Sequence, residues 1–171
     1  WRSEPTWPGQ GCDWEGNPDP SGNCLNDLDT HFWVLPFVET PEMPRVHIDA
    51  GNRDKWGVLD RYPSARLRFD ERWGSGPETL RVRAYEDAIY HYAVLNVYQY
   101  FSSTVPPMRD TQARVYARDG TGQLLLDLTV PATGNGELWY VFTLNGETGD
   151  ITIVNCLTDL PGADLEPPTC P

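Results

Sequence analysis

Apolar and polar positions alternate with a period of two along most of the chain. Leu28, Thr30, Phe32 and Val34 interleave with Asp27, Asp29, His31 and Trp33. The same alternation carries Val46 and Ile48, Leu67 and Phe69, Leu80, Val82 and Ala84, then Ala113, Val115 and Ala117. It continues through Leu124, Leu126, Leu128 and Val130, through Leu138, Tyr140, Phe142 and Leu144, and reaches Ile151 and Ile153. Successive strand side chains point to opposite faces, so each run predicts a strand with one buried face. Between the runs lie Ala50-Gly51-Asn52, Gly74-Ser75-Gly76-Pro77, Asp119-Gly120, Asn135-Gly136 and Asn145-Gly146, whose Gly and Asx residues suit tight turns. Residues 85–101 have helical length, but their Tyr and Val content predicts a long strand. Eight or nine short strands spaced by turns predict an antiparallel, all-β sandwich or barrel.

Residues 1–26 break this pattern. Pro5, Pro8, Pro18 and Pro20 alternate with Gly9, Gly11, Gly16 and Gly22, which predicts irregular chain. The segment nevertheless holds Trp1, Trp7 and Trp14, three of the seven tryptophans. Exposed indoles are a liability, so this arm is expected to dock, on its own sandwich or on a neighbouring copy. The chain divides into the arm (1–26), a sandwich domain (27–155) and an acidic tail (156–171). Because the alternating core begins at Leu28, removing residues 1–26 is expected to leave the sandwich folded.

Charge and cysteines narrow the setting. A net charge of −12 argues against binding nucleic acid through phosphates and against anionic membranes. No apolar run approaches a membrane span, so no membrane insertion is expected. From Asp119 to the last residue there are eight acids and no Lys or Arg. Arg66, Arg68, Arg81 and Arg83 crowd the middle of the chain, so the two surfaces could meet between subunits. Cys12, Cys24, Cys156 and Cys170 form no metal-ligand spacing. Three pairings exist, and Cys12–Cys24 with Cys156–Cys170 is favoured because both closures are short. Disulfides imply export, to the medium or the cell surface. A start at Trp1 without a leader is what a mature exported form would have.

Three short stretches carry a resemblance. They are Asp27-Leu28-Asp29-Thr30-His31-Phe32-Trp33, Gly74-Ser75-Gly76-Pro77-Glu78-Thr79 and Tyr90-His91-Tyr92-Ala93-Val94. Their order over residues 27–155 resembles the YfaP-like exported immunoglobulin-like domains. The resemblance implies an immunoglobulin-like β-sandwich on exported or surface proteins, and it brings no catalytic residues.

Catalytic motifs are missing. His31, His47 and His91 lack helical His-x-x-x-His spacing, and Gly74-Ser75-Gly76 lacks the outer glycines of a nucleophile elbow. A non-enzymatic protein without a resident cofactor is expected. On a strand, Asp27, Asp29 and His31 share one face, and Asp49, Asn52 and Asp54 in the next loop could complete a calcium site. Trp33, Trp139, Tyr85 and Tyr116 fall opposite the aliphatic series, where outward rings could stack on sugars. The sequence therefore supports a structural or adhesive module that assembles with copies of itself into a filament or surface polymer. The assembly residues would be Trp1, Trp7, Trp14, Arg66, Arg68, Arg81 and Arg83. The alternative is a carbohydrate-binding module that takes a glycan on Trp33 and Trp139.

Overall fold

The computed structural model describes residues 2–6, 27–51, 62–69, 78–83, 86–101 and 105–171. Among them are ten strands: β1 (Arg2–Thr6), β2 (Leu28–Pro36), β3 (Val46–Ile48), β4 (Ala65–Phe69), β5 (Thr79–Val82), β6 (Ala88–Asn96), β7 (Arg114–Arg118), β8 (Leu124–Thr129), β9 (Leu138–Asn145) and β10 (Ile151–Thr158). They form two five-stranded sheets, ordered β4-β5-β1-β7-β8 and β10-β9-β6-β2-β3, and every pairing is antiparallel. The protein is thus an all-β sandwich, as the alternation predicts. None of the described helices is long and apolar enough to cross a membrane.

The inner faces hold the expected aliphatic and aromatic positions. Leu28, Phe32 and Val34 of β2 are fully buried against Leu80 and Val82 of β5 and Val115 and Ala117 of β7 within one core cluster. Phe32 stacks on Tyr90 with ring centroids 5.5 Å apart, and Tyr92 stacks on Phe142 at 5.1 Å. These aromatics, all on the β2-containing sheet, fill much of the space between the packed sheets. The predicted long strand over 85–101 is strand only from Ala88 to Asn96, and a short helix α1 (Val97–Phe101) follows. Asn96 ends the strand: its side-chain oxygen accepts from Gln99 N–H at 3.2 Å, as a helix cap does.

Two departures from the alternation matter. The first is β1. Residues 1–26 read as irregular, yet Arg2–Thr6 is a strand lying between β5 and β7, with Arg2 opposite Arg81 and Thr6 opposite Arg114. Five residues containing a proline carry too little pattern for sequence to find. Backbone pairing on both sides supplies what the side-chain period does not. Residue 1 and residues 7–26, with Trp1, Trp7, Trp14, Cys12 and Cys24, lie outside the described residues.

The second departure is in β9. Tyr92 pairs with Phe142 but the adjacent Ala93 pairs with Tyr140, so Val141 is an extra residue in the ladder. Such a bulge reverses the in–out phase. Phe142 and Leu144 face the core, but across the bulge the core position is Trp139, while Leu138 packs on the opposite face. Trp139 is fully buried and its indole N–H donates to Asn155 Oδ1 at 2.9 Å. The expectation of an outward Trp139 is therefore corrected, because one inserted residue turned it inward.

Candidate functional site

The outer face of the β2-containing sheet is the unusual part of the molecule. On β2 the outward positions are His31 and Trp33, on β3 His47, and on β6 His91, since Trp33 pairs with both His47 and His91. All three histidines of the chain lie on this face. It is not bare. The segment after β10 crosses it and is fastened by the Cys156–Cys170 disulfide. Leu160 from this segment packs with Trp33, Ala93, Leu95 and Leu138 in a second, smaller core. Thr158 Oγ1 donates to Thr169 O at 2.9 Å, and Arg45 donates to Glu166 Oε1 at 2.8 Å. Of the two expected disulfides, Cys156–Cys170 is present.

Trp33 was expected to face solvent and is instead 1% exposed. Its position opposite the core face is right, but the tail makes a second interior there. Its ring lies flat on His47 at 4.3 Å, and its N–H donates to Asp164 O at 3.0 Å. Replacing Trp33 with Phe keeps a stacking ring but removes that donor. The expected cost is about 1–1.5 kcal/mol, read as a lower urea midpoint. An unchanged midpoint would mean that the indole does not hold the tail. Of the other two aromatics proposed for sugars, Tyr116 is half-buried under Arg118, 5.6 Å from its ring, and Tyr85 lies outside the described residues.

A line of polar groups runs through this face. His31 Nδ1 is 2.9 Å from His47 Nε2, and His47 Nδ1 is 2.5 Å from Asp164 Oδ1. Asp49 Oδ2 lies 3.7 Å from His47 Nδ1, while Asp49 Oδ1 accepts from Gly51 N–H at 2.8 Å. Asp164 Oδ1 accepts the hydrogen bond of His47 Nδ1–H, which leaves Nε2 as the His47 nitrogen that faces His31 Nδ1. Burial, and secondarily the neighbouring His47, lowers the His31 pKa to about 3. His91 stands apart, with Nδ1 2.5 Å from the Tyr140 hydroxyl. Burial lowers its pKa to about 4 and pushes Tyr140 up to about 12.

Of the proposed calcium carboxylates among the described residues, Asp27, Asp29 and Asp49, only Asp49 joins this cluster. One donor atom each of His31, His47 and Asp49 lies within 4.8 Å of the other two. Asp27 is placed at the other end of β2, where its carbonyl accepts from Val97 N–H at 2.9 Å, and Asp29 is opposite Leu95. Asp54 and Asn52 lie outside the described residues. Sequence spacing could not join His31 to His47 because they meet diagonally across two strands. The signal available was His47-x-Asp49, two groups on one face of a strand. Asp164 had none, since it arrives through the fold of the tail.

The arginines are elsewhere. Arg66 and Arg81 are exposed and opposite one another across β4 and β5, on the far sheet. Arg83 follows β5, exposed, with its N–H donating to Ser64 O at 2.8 Å; Arg68 lies on β4. Exposed Arg114 and Arg118 of β7 add to the same sheet, Arg114 paired with Asp127.

Fold and site together define a two-sheet β-sandwich with a disulfide-fastened tail over a histidine-bearing face. No protein-family model and no curated protein matches the chain. A solved structure of a protein of unknown function, SAV2460, is similar in fold. The TM-score is 0.57 and the identity 14%, over 90% of this chain and 86% of that one.

Proposed function

We propose that this chain is an exported, non-enzymatic structural or adhesive module that assembles with copies of itself through its N-terminal arm. The observation that carries the reading is the placement of β1. Arg2–Thr6 fills the middle of a sheet, and its partners on β5 and β7 are all remote in sequence. Twenty residues separate Thr6 from Asp27. Fully extended, such a connection reaches up to roughly 70 Å. The same slot in a neighbouring copy is therefore within reach, and strand addition uses the same backbone hydrogen bonds in either molecule. Repeated head to tail, the exchange builds a filament or closes a ring.

Charge supports the reading. One outer face carries Arg66, Arg81, Arg114 and Arg118, while the tail across the other carries Asp159, Asp164 and Glu166. Faces of opposite sign steer copies into register. The Cys156–Cys170 bond suits an oxidising compartment outside the cell. The three stretches that carry the YfaP-like resemblance meet around Thr30. Glu78 Oε2 accepts from Thr30 N–H at 2.6 Å, and the Tyr92 hydroxyl is 3.3 Å from Thr30 Oγ1. The sugar-binding alternative loses its anchors, since Trp33 and Trp139 are both buried.

The test is the native particle size, by light scattering and negative-stain microscopy over a concentration series. Particles well above the 19.3 kDa chain mass are expected, shrinking as salt screens the charged faces. A clean monomer at high concentration and low salt would refute assembly.

A further inference from the structure

The histidine-bearing face offers chemistry that assembly does not use. We infer that His31, His47 and Asp49 bind one divalent transition-metal ion of the zinc type beneath the C-terminal tail.

The donor set comes first. Two imidazole nitrogens and one carboxylate are intermediate-to-hard ligands, which suit zinc, nickel or copper(II). Calcium needs six to eight oxygens, and this cluster supplies too few. Distances come next. Zinc–nitrogen bonds of ~2.0–2.1 Å at a tetrahedral angle put two ligating nitrogens about 3.3 Å apart. His31 Nδ1 and His47 Nε2 are 2.9 Å apart, so the rings need to separate only slightly to admit an ion where a proton now bridges them. The three donors already lie within 4.8 Å of one another, a gap that side-chain rotation closes.

Protonation also suits. A neutral His31 can move its proton from Nδ1 to Nε2, which frees Nδ1 for the ion without net proton loss. Asp164 Oδ1, 2.5 Å from His47 Nδ1, engages that nitrogen and leaves Nε2 as the one directed at His31. A carboxylate on the far nitrogen of a ligating histidine is the usual way such rings are oriented and made more basic. Gly51 N–H holds Asp49 Oδ1, and Oδ2 lies 3.7 Å from His47 Nδ1, so this carboxylate swings from the Nδ1 edge of the ring to reach an ion between His31 Nδ1 and His47 Nε2. Trp33, flat against His47, fixes the plane of the ring. Three protein ligands leave a fourth position for water, and the tail limits its access.

The experiment uses the whole chain without a histidine tag, stripped with chelator and titrated with zinc by calorimetry. Cobalt(II) serves as the visible-absorption probe. Saturable uptake of one equivalent is expected, with cobalt bands of a four-coordinate nitrogen–oxygen site. His47→Gln and Asp49→Asn should each weaken binding by about a hundredfold or more, while His91→Gln should not. In nitrogen-resolved NMR of the unaltered protein, zinc should shift the His31 and His47 ring signals and leave His91 in place. This second measurement stands even if a variant fails to fold. Absence of one-equivalent uptake would overturn the site. So would unmoved His31 and His47 signals, or uptake that survives both His47→Gln and Asp49→Asn unchanged. Particle size is a separate readout, so the site and the assembly reading can fail independently.

Discussion

Deleting residues 1–6 is expected to unfold the sandwich or to turn it into an aggregating, strand-hungry species. β1 makes two cross-strand pairs with β5 and five with β7, and the sheet order gives those strands no other contact with each other. Its loss leaves two facing strand edges without backbone partners. Net hydrogen bonds of ~0.5–1.5 kcal/mol each, plus the larger cost of any buried group left unpaired, add up to roughly 5 kcal/mol. That is the lower end of a whole domain's stability. The alternation, beginning at Leu28, led to the opposite expectation. A synthetic peptide of residues 1–6 should restore the fold when added in trans, because it offers the same backbone ladder. Circular dichroism and urea unfolding of the truncated chain, with and without peptide, read the result. A truncated chain with an unchanged midpoint would show that β1 contributes nothing to the sheet.

The second large effect is expected from acid. His31 and His91 are held neutral by burial, with pKa values lowered from 6.5 to about 3 and about 4. The groups facing them are His47 and Trp33 for His31, and Tyr140 for His91. The unfolded chain protonates near pH 6.5, well above the folded values. The unfolded state therefore binds more protons as pH falls, and the folded state loses stability. The stabilising contribution is complete above pH 6.5 and is lost progressively toward pH 4 and then 3. At pH 5 the difference is worth about 2 kcal/mol for buried His31 and somewhat less for His91. Together they remove roughly 4 kcal/mol of a stability of ~5–15 kcal/mol. Urea midpoints between pH 7.5 and 5, with chelator present, should fall steadily, and His91→Gln should flatten part of the slope. A midpoint constant over that range would contradict the buried, neutral histidines.

How much of this was legible depended on the range of the physics involved. The strand period of two is local, so β2, β3, β5, β7 and β8 follow directly from their own residues. Turn chemistry is local as well. Asn145 Oδ1 accepts from Glu147 and Thr148 N–H, and Asp119 Oδ1 accepts from Thr121 and Gln123 N–H, as the Asx-Gly pairs predict. The short closure of Cys156 on Cys170 was legible for the same reason.

What was not legible is non-local. A strand without side-chain alternation, Arg2–Thr6, is specified by the slot between β5 and β7, and that slot exists only once the sheet forms. The extra residue in β9 changes nothing in composition, yet it decides that Trp139 faces the core and Leu138 does not. Alternation placed Trp33 and His31 off the core face, but only the folded tail made that face a second interior. The encounter of His31, His47, Asp49 and Asp164 needed β2, β3 and the tail together. Sequence by itself determined an all-β sandwich and which residues alternate, because strand periodicity is written residue by residue. Tertiary structure decided which side of the sheet was sealed and which polar groups met there, because the tail reaches Trp33 and His47 from more than a hundred residues away and His31 meets His47 only once β2 and β3 pair.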